Sequence, residues 1–188
     1  LQAGLMHPPF TLRVNARHGS PEQYLQRLAE AGMAAQQTGA CALTLEKAVA
    51  VQALPGFAEG DVSIQDAGAR WAAPLLDVQA GQRVLDACAA PGGKTGHLLE
   101  TADVNVTALD VDASRLSRVQ ENLDRLGLVA QLMQGDAAEP SAWWDGQPYD
   151  RILADVPCSA SGVVRRNPDI KWLRREDDIA GFARQQAA

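Results

Sequence analysis

The sequence predicts an α/β protein in which a parallel, doubly wound sheet follows a small α+β module. The first observation behind this is a rhythm. From residue 83 onward RVLDA, KTGHLLETA, VTALDV, ASRLSRVQENLDRLG, AQLMQGD and YDRILADVP alternate strand-like and helix-like runs, and strands separated by helices of that length pair in parallel. The second is that residues 1–62 lack this rhythm. The third is length, since 188 residues hold one ordinary domain with room for a small appended module.

Residues 10–16, FTLRVNA, alternate and read as a strand. Ser20 as cap, Pro21 at the first helical position and Gln23 three residues after the cap open a helix. Leu25, Leu28, Ala29 and Ala31 give that helix an apolar side and Gly32 can end it. CALTLEKAV reads as a second strand before Leu54, Pro55 and Gly56, which places the small α+β module at 1–62 and the second domain at 63–188. DAGARWAAPLLD, residues 66–77, reads as a helix with Pro74 as a kink. In the helix from Ala113, residues Leu116, Val119, Leu123 and Leu126 share one side and Gly127 supplies the stop.

Composition narrows the function classes. With 46% apolar and 21% charged residues the chain reads as globular. No run approaches the roughly 18 uncharged apolar residues of a membrane span, and LQAGLMHPPF lacks the features of a secretory signal, so a cytoplasmic location is the default expectation. Cys41, Cys88 and Cys158 are too widely spaced for a disulfide framework or a CxxC zinc site and are expected as thiols, with Cys41 in the core. His7, His18 and His97 share no ligand spacing, so no metal is expected. A net charge of −6 argues against a uniformly basic nucleic-acid binder and leaves one local patch. That patch, RRNPDIKWLRR from Arg165 to Arg175, carries five basic residues, one acid and a tryptophan; a solvated face is its plain alternative. Trp143 and Trp144 read as turn-packing residues before Asp145 and Gly146.

In doubly wound sheets, ligands bind at the carboxyl ends of the strands. Here those ends carry Asp86 and Cys88, then Asp110 and Asp112, then Asp136, then Asp155 with Pro157 and Cys158. One such aspartate could merely cap a helix or turn; four successive acidic ends point to a site. LDACAAPGGKT is not a phosphate loop, because GxxxxGK[ST] would need glycine where Cys88 stands, and it contains no GxGxxG. It remains a glycine turn that lets backbone approach a ligand. Asp110 follows Gly93 by 17 positions, near the roughly 20-residue offset at which a carboxylate accepts from ribose hydroxyls. A nucleoside without phosphate suits these acids, and S-adenosylmethionine, with its ribose, adenine and cationic sulfonium, is such a ligand. Cys158 follows Asp155 and Pro157 and precedes Arg165 and Arg166, where positive charge would favour a thiolate.

Together LDACAAPGGKT, ALDVD, QGDA and DRILADVPCSASGVVRRNPDIKW closely resemble the RNA cytosine-C5 methyltransferases, in particular the bacterial 16S ribosomal RNA branch of the RsmB (Fmu/Sun) type. The resemblance runs from about residue 10 to the C-terminus. It implies that residues 63–188 are the N-terminal part of a Rossmann-like, S-adenosylmethionine-dependent methyltransferase sheet, incomplete at its C-terminus. It also implies that residues 1–62 are a small RNA-contacting module, and that Ser63–Trp71 begins a helix beside the site.

By the same resemblance Cys88, Ala89, Ala90, Pro91, Gly92, Gly93 and Lys94 would wrap the methyl donor with backbone. Asp110 would hold the ribose hydroxyls, Asp136 would sit beside the adenine, and Asp155 would lie between donor and target base. The substrate implied is 16S rRNA, with Arg165, Arg166 and Lys171 on its binding surface. C5 of cytosine is a poor nucleophile, so the family first adds a thiolate at C6 and later expels it, an acid such as Asp155 supporting the addition. The base must leave its stack to reach such a pocket, which favours single-stranded or loop RNA. The family's attacking thiol lies in a Thr-Cys pair on the fifth strand, and its Pro-Cys cysteine, here Cys158, assists product release. This sequence contains no Thr-Cys pair. The expectation is therefore a fragment, cut at both ends, inactive alone, with its fourth strand at an exposed edge. Two other readings stay open: a methyltransferase of another substrate class, which would not need DVPCSASG before a basic run, and a non-catalytic cofactor- or RNA-binding remnant.

Overall fold

The structure is a computed structural model that describes residues 6–187. It divides into two compact units, one spanning Phe10–Ala154 and the other built from residues 6–9 and 155–187.

In the first unit, β1 (Phe10–Val14), α1 (Pro21–Glu30), β2 (Ala35–Gly39), β3 (Ala42–Leu45) and β4 (Val62–Ile64) come first. The strands form an antiparallel sheet of order β2-β3-β1-β4, with Leu12 opposite both Leu43 and Ile64. α1 begins as its sequence dictates: the Ser20 hydroxyl accepts from the Gln23 amide while the Gln23 side chain accepts from the Ser20 amide. Tyr24 and Leu28 of α1 pack with Leu12, Val14, Leu43 and Val62 in one core.

Next come α2 (Ala72–Leu76), β5 (Arg83–Ala87), α3 (Gly93–Thr101), β6 (Asn105–Asp110), α4 (Ala113–Leu126), β7 (Gln131–Gln134) and β8 (Arg151–Ala154). The strands lie in order β7-β6-β5-β8 and every pairing is parallel. This is the expected alternation, and among the described residues β8 stands at one edge. Val84, Val106 and Ala108 of the sheet meet Leu98 of α3 and Leu116, Val119 and Leu123 of α4. Fully burying each of these valine and leucine side chains stabilises the fold by about 1.5–3 kcal/mol.

The helix expected over 66–77 is shorter, a 3₁₀ turn at Ala69–Trp71 followed by α2 with Pro74 inside it. CALTLEKAV is extended only over β3. Trp143 packs as a turn residue, its indole N–H 2.7 Å from the Asp136 carbonyl and its ring against Leu85, Ala87 and Leu109. None of the three cysteines is in a disulfide, and burial raises the pKa of the Cys41 thiol. Among the described residues no helix is long and apolar enough to cross a membrane.

His97 of α3 is 5% exposed, and burial, followed by the charge of Arg13, lowers its pKa to about 3. The folded protein therefore resists a proton that the unfolded chain accepts near pH 6.5. The stability contributed by neutral His97 is complete above pH 6.5 and is lost as pH falls toward 3, at about 1.4 kcal/mol per pH unit. Urea titrations between pH 6 and 4 should therefore show a flatter loss for His97→Leu than for the parent.

In the second unit, α5 (Ile170–Leu173) and α6 (Glu176–Ala187) follow a 3₁₀ turn at Ser161–Val163. The Arg174 guanidinium donates to the Ser159 carbonyl at 2.7 Å, and the Gln186 amide donates to Pro157 at 2.8 Å. Arg165 donates to the His7 carbonyl at 2.8 Å, tying residues 6–9 to this unit.

Candidate functional site

Parallel pairing puts the carboxyl ends of β5, β6 and β7 on one side of the sheet. The turn after β5 is built from backbone. Cys88 takes a left-handed conformation with φ of 61°, the Ala90–Pro91 peptide is cis, and Gly92 has φ of 93° where α3 begins. Glycine is required at 92 for contact as well as conformation, since a methyl group there would stand 3.1 Å from the Val119 backbone in α4. Gly92→Ala should cost about 1–3 kcal/mol in a denaturation experiment.

Asp110, the last residue of β6, closes the turn. Its Oδ2 accepts from the Ala90 amide at 3.2 Å and its Oδ1 from the Asp112 amide at 3.2 Å. The carboxylate is 1% exposed, covered by the half-exposed Arg115, whose guanidinium stands 3.5 Å away and donates to the Ala90 carbonyl at 3.0 Å. Two amide donors leave a carboxylate with further lone pairs. Beneath the turn, the Thr95 hydroxyl of α3 donates to buried Asp86 of β5 at 2.6 Å. Asp112 caps α4, and hydrogen bonds from the Ser114 hydroxyl and amide hold its carboxyl below the usual range.

The next strand end joins the same place. The Gly135 amide donates to the Asp110 carbonyl at 3.1 Å, and Asp136 follows, exposed, its side chain accepting from Ala138 at 2.9 Å. The structure thus brings together Cys88–Gly93, Asp110 and the approach to Asp136. Lys94 lies in the first turn of α3 and is partly buried.

The remaining expected site residues belong to the second unit. Asp155 is exposed and follows the last residue of β8 in sequence. Cys158 is exposed, its sulfur accepting from the Ala160 amide at 3.4 Å. Arg166 and Lys171 are exposed, and Lys171 stands over the ring of Trp172, itself 80% exposed. Arg165 is partly buried against His7.

Arg115 is a site residue that the sequence does not mark. Its role rests on the contact with Asp110 across the cap of α4, which no local pattern marks.

Residues 73–188 match the family described as 16S rRNA methyltransferase RsmB/F, and residues 1–52 match the RsmF/B-like ferredoxin-like domain. The chain belongs to the RsmB/F methyltransferase family. It is 55% identical over 184 residues to the Ribosomal RNA small subunit methyltransferase B of Pseudomonas putida, covering 96% of this chain and 42% of the relative. The chain therefore spans about two fifths of the length of the curated relatives it matches. Its fold is similar to a methyltransferase homolog protein from Pyrococcus horikoshii, with TM-score 0.79 and 29% identity over 94% of this chain and 57% of that one. The fold is also that of NSun6 from Pyrococcus horikoshii, with TM-score 0.84 and 21% identity over 98% of this chain and 72% of that one. Both agree with a Rossmann-like methyltransferase sheet carrying a small antiparallel module.

Proposed function

We propose that this RsmB/F chain carries the donor site and part of the RNA surface of an enzyme that transfers a methyl group from S-adenosylmethionine to C5 of a cytosine in 16S rRNA. The observation that carries this reading is the pinned turn: a backbone cradle from Cys88 to Gly93 whose Ala90 amide is fixed by the carboxylate at the end of the next strand. The relatives' name, Ribosomal RNA small subunit methyltransferase B, supports the substrate. The Pyrococcus NSun6 structure was determined with SFG, an analogue of S-adenosylmethionine, which supports the donor.

These residues fit that donor. Asp110 keeps lone pairs for two ribose hydroxyls, which would reach it by displacing the half-exposed Arg115. The backbone of Cys88–Lys94 would hold the donor and Asp136 would sit beside its adenine. When bound, the donor supplies a methyl group on a cationic sulfonium. No phosphate needs neutralising, in keeping with the acids that surround the turn.

On the RNA side, residues 1–62 form a contact module and 63–188 the donor domain, with Arg165, Arg166 and Lys171 facing phosphates. Asp155 supports thiol addition at C6, and Cys158 assists release of the methylated base. The sequence has no Thr-Cys pair, and the 188-residue chain alone does not turn over.

Nucleoside mass spectrometry tests this reading. In a strain lacking the gene, one 5-methylcytidine should be missing from 16S rRNA and return with the full-length gene. Cys158→Ala in that gene should accumulate a protein–RNA adduct on denaturing gels. Unchanged 5-methylcytidine in the deletion strain would refute the assignment.

A further inference from the structure

Arg13 lies in the middle of β1, in the antiparallel module, and is 1% exposed. Each guanidinium nitrogen has a partner. Nε and Nη2 donate to the two Glu100 oxygens at 2.8 and 2.7 Å, and Nη1 donates to Gln65 Oε1 at 2.9 Å and to the Gly93 carbonyl at 2.8 Å. Glu100 and Gly93 both belong to α3, so one side chain of the module grips that helix at its first residue and again near its end.

Stability alone does not call for this arrangement. Desolvating two ions costs several kcal/mol, and well-packed apolar residues of similar volume often serve a core as well or better. Apolar residues cannot donate to the Gly93 carbonyl, however. That carbonyl ends the glycine turn whose other end, the Ala90 amide, is held by Asp110. The turn is thus pinned from two sheets, by Asp110 of β6 and by Arg13 of β1.

We propose that Arg13 is a positioning residue for the donor turn: its bond to Gly93 fixes the start of α3, so that the antiparallel module sets methyl-donor affinity. The role in donor binding rests on the function proposed above, whereas the effect on the turn does not.

The test separates the two. In the full-length protein, Arg13→Met/Glu100→Met removes both charges and the Gly93 bond together. Its melting temperature should stay near that of the parent while the calorimetric Kd for S-adenosylhomocysteine rises about tenfold, the loss of one charge-assisted bond. Amide exchange of the turn, residues 90–96, should quicken without ligand, while β1 and β3 exchange as before. If the double variant does not fold, Arg13→Lys carries the same test, since a single ammonium cannot span Glu100 and Gly93 as the guanidinium fork does. Unchanged affinity together with unchanged exchange at the turn overturns the proposal. If the parent itself does not bind S-adenosylhomocysteine, the donor reading falls and exchange alone decides: faster exchange at the turn supports positioning, unchanged exchange overturns it.

Discussion

Replacing Glu100 with alanine should lower the unfolding free energy by about 3–5 kcal/mol, because it leaves the Arg13 guanidinium buried without its counter-charge. Both Glu100 oxygens are engaged by Arg13, and the two side chains are 1% and 3% exposed, so water cannot replace the lost partner without opening the packing between β1 and α3. That loss is a large share of the 5–15 kcal/mol that holds an ordinary domain together. Urea denaturation followed by circular dichroism would show it as a lower midpoint with an unchanged slope. A loss below about 1 kcal/mol, the range of exposed pairs, would mean that the ion pair is hydrated in solution.

Asp110→Ala should weaken S-adenosylmethionine binding by about a hundredfold to ten-thousandfold. A carboxylate that accepts from two ribose hydroxyls makes two charge-assisted bonds of roughly 1.5–3 kcal/mol each, and each 1.4 kcal/mol is a factor of ten. The same substitution releases the Ala90 and Asp112 amides, so the turn loosens as well. Asp110→Asn keeps the shape and one acceptor and should fall between alanine and the parent. Calorimetry on the full-length protein reads both variants. Parental affinity in Asp110→Ala would remove Asp110 from the donor site.

Where local pattern decides structure, the sequence was readable. Ser20, Pro21 and Gln23 form the capping box they spell, and the side of α4 marked by Leu116, Val119, Leu123 and Leu126 is its buried side. β5 spans the RVLDA run. β2, AQQTG, carries no strand signal in the sequence because an edge strand is held by backbone pairing to one neighbour and needs no apolar alternation; its middle residues are exposed. β4 is only three residues long and is defined by pairing with β1, some 50 positions earlier.

The candidate site divides in the same way. The glycine turn and Asp110 were legible from spacing within one strand–helix–strand unit. Arg13 was not. In FTLRVNA it occupies a position that alternation assigns to water, and its burial is explained by Glu100, 87 residues away. Pairing at that distance leaves no local trace. Arg115 was hidden for a different reason, since an arginine in the first turns of an exposed amphipathic helix resembles any solvated cation until the acid beneath it is seen.

The most direct test of the donor site is a crystal structure of the full-length protein with S-adenosylhomocysteine. The ribose hydroxyls should lie within hydrogen-bond distance of Asp110, the amino-acid portion against the backbone of Cys88–Gly93, and Arg115 swung away from the carboxylate. Ligand bound elsewhere, with Asp110 still covered by Arg115, would contradict the account.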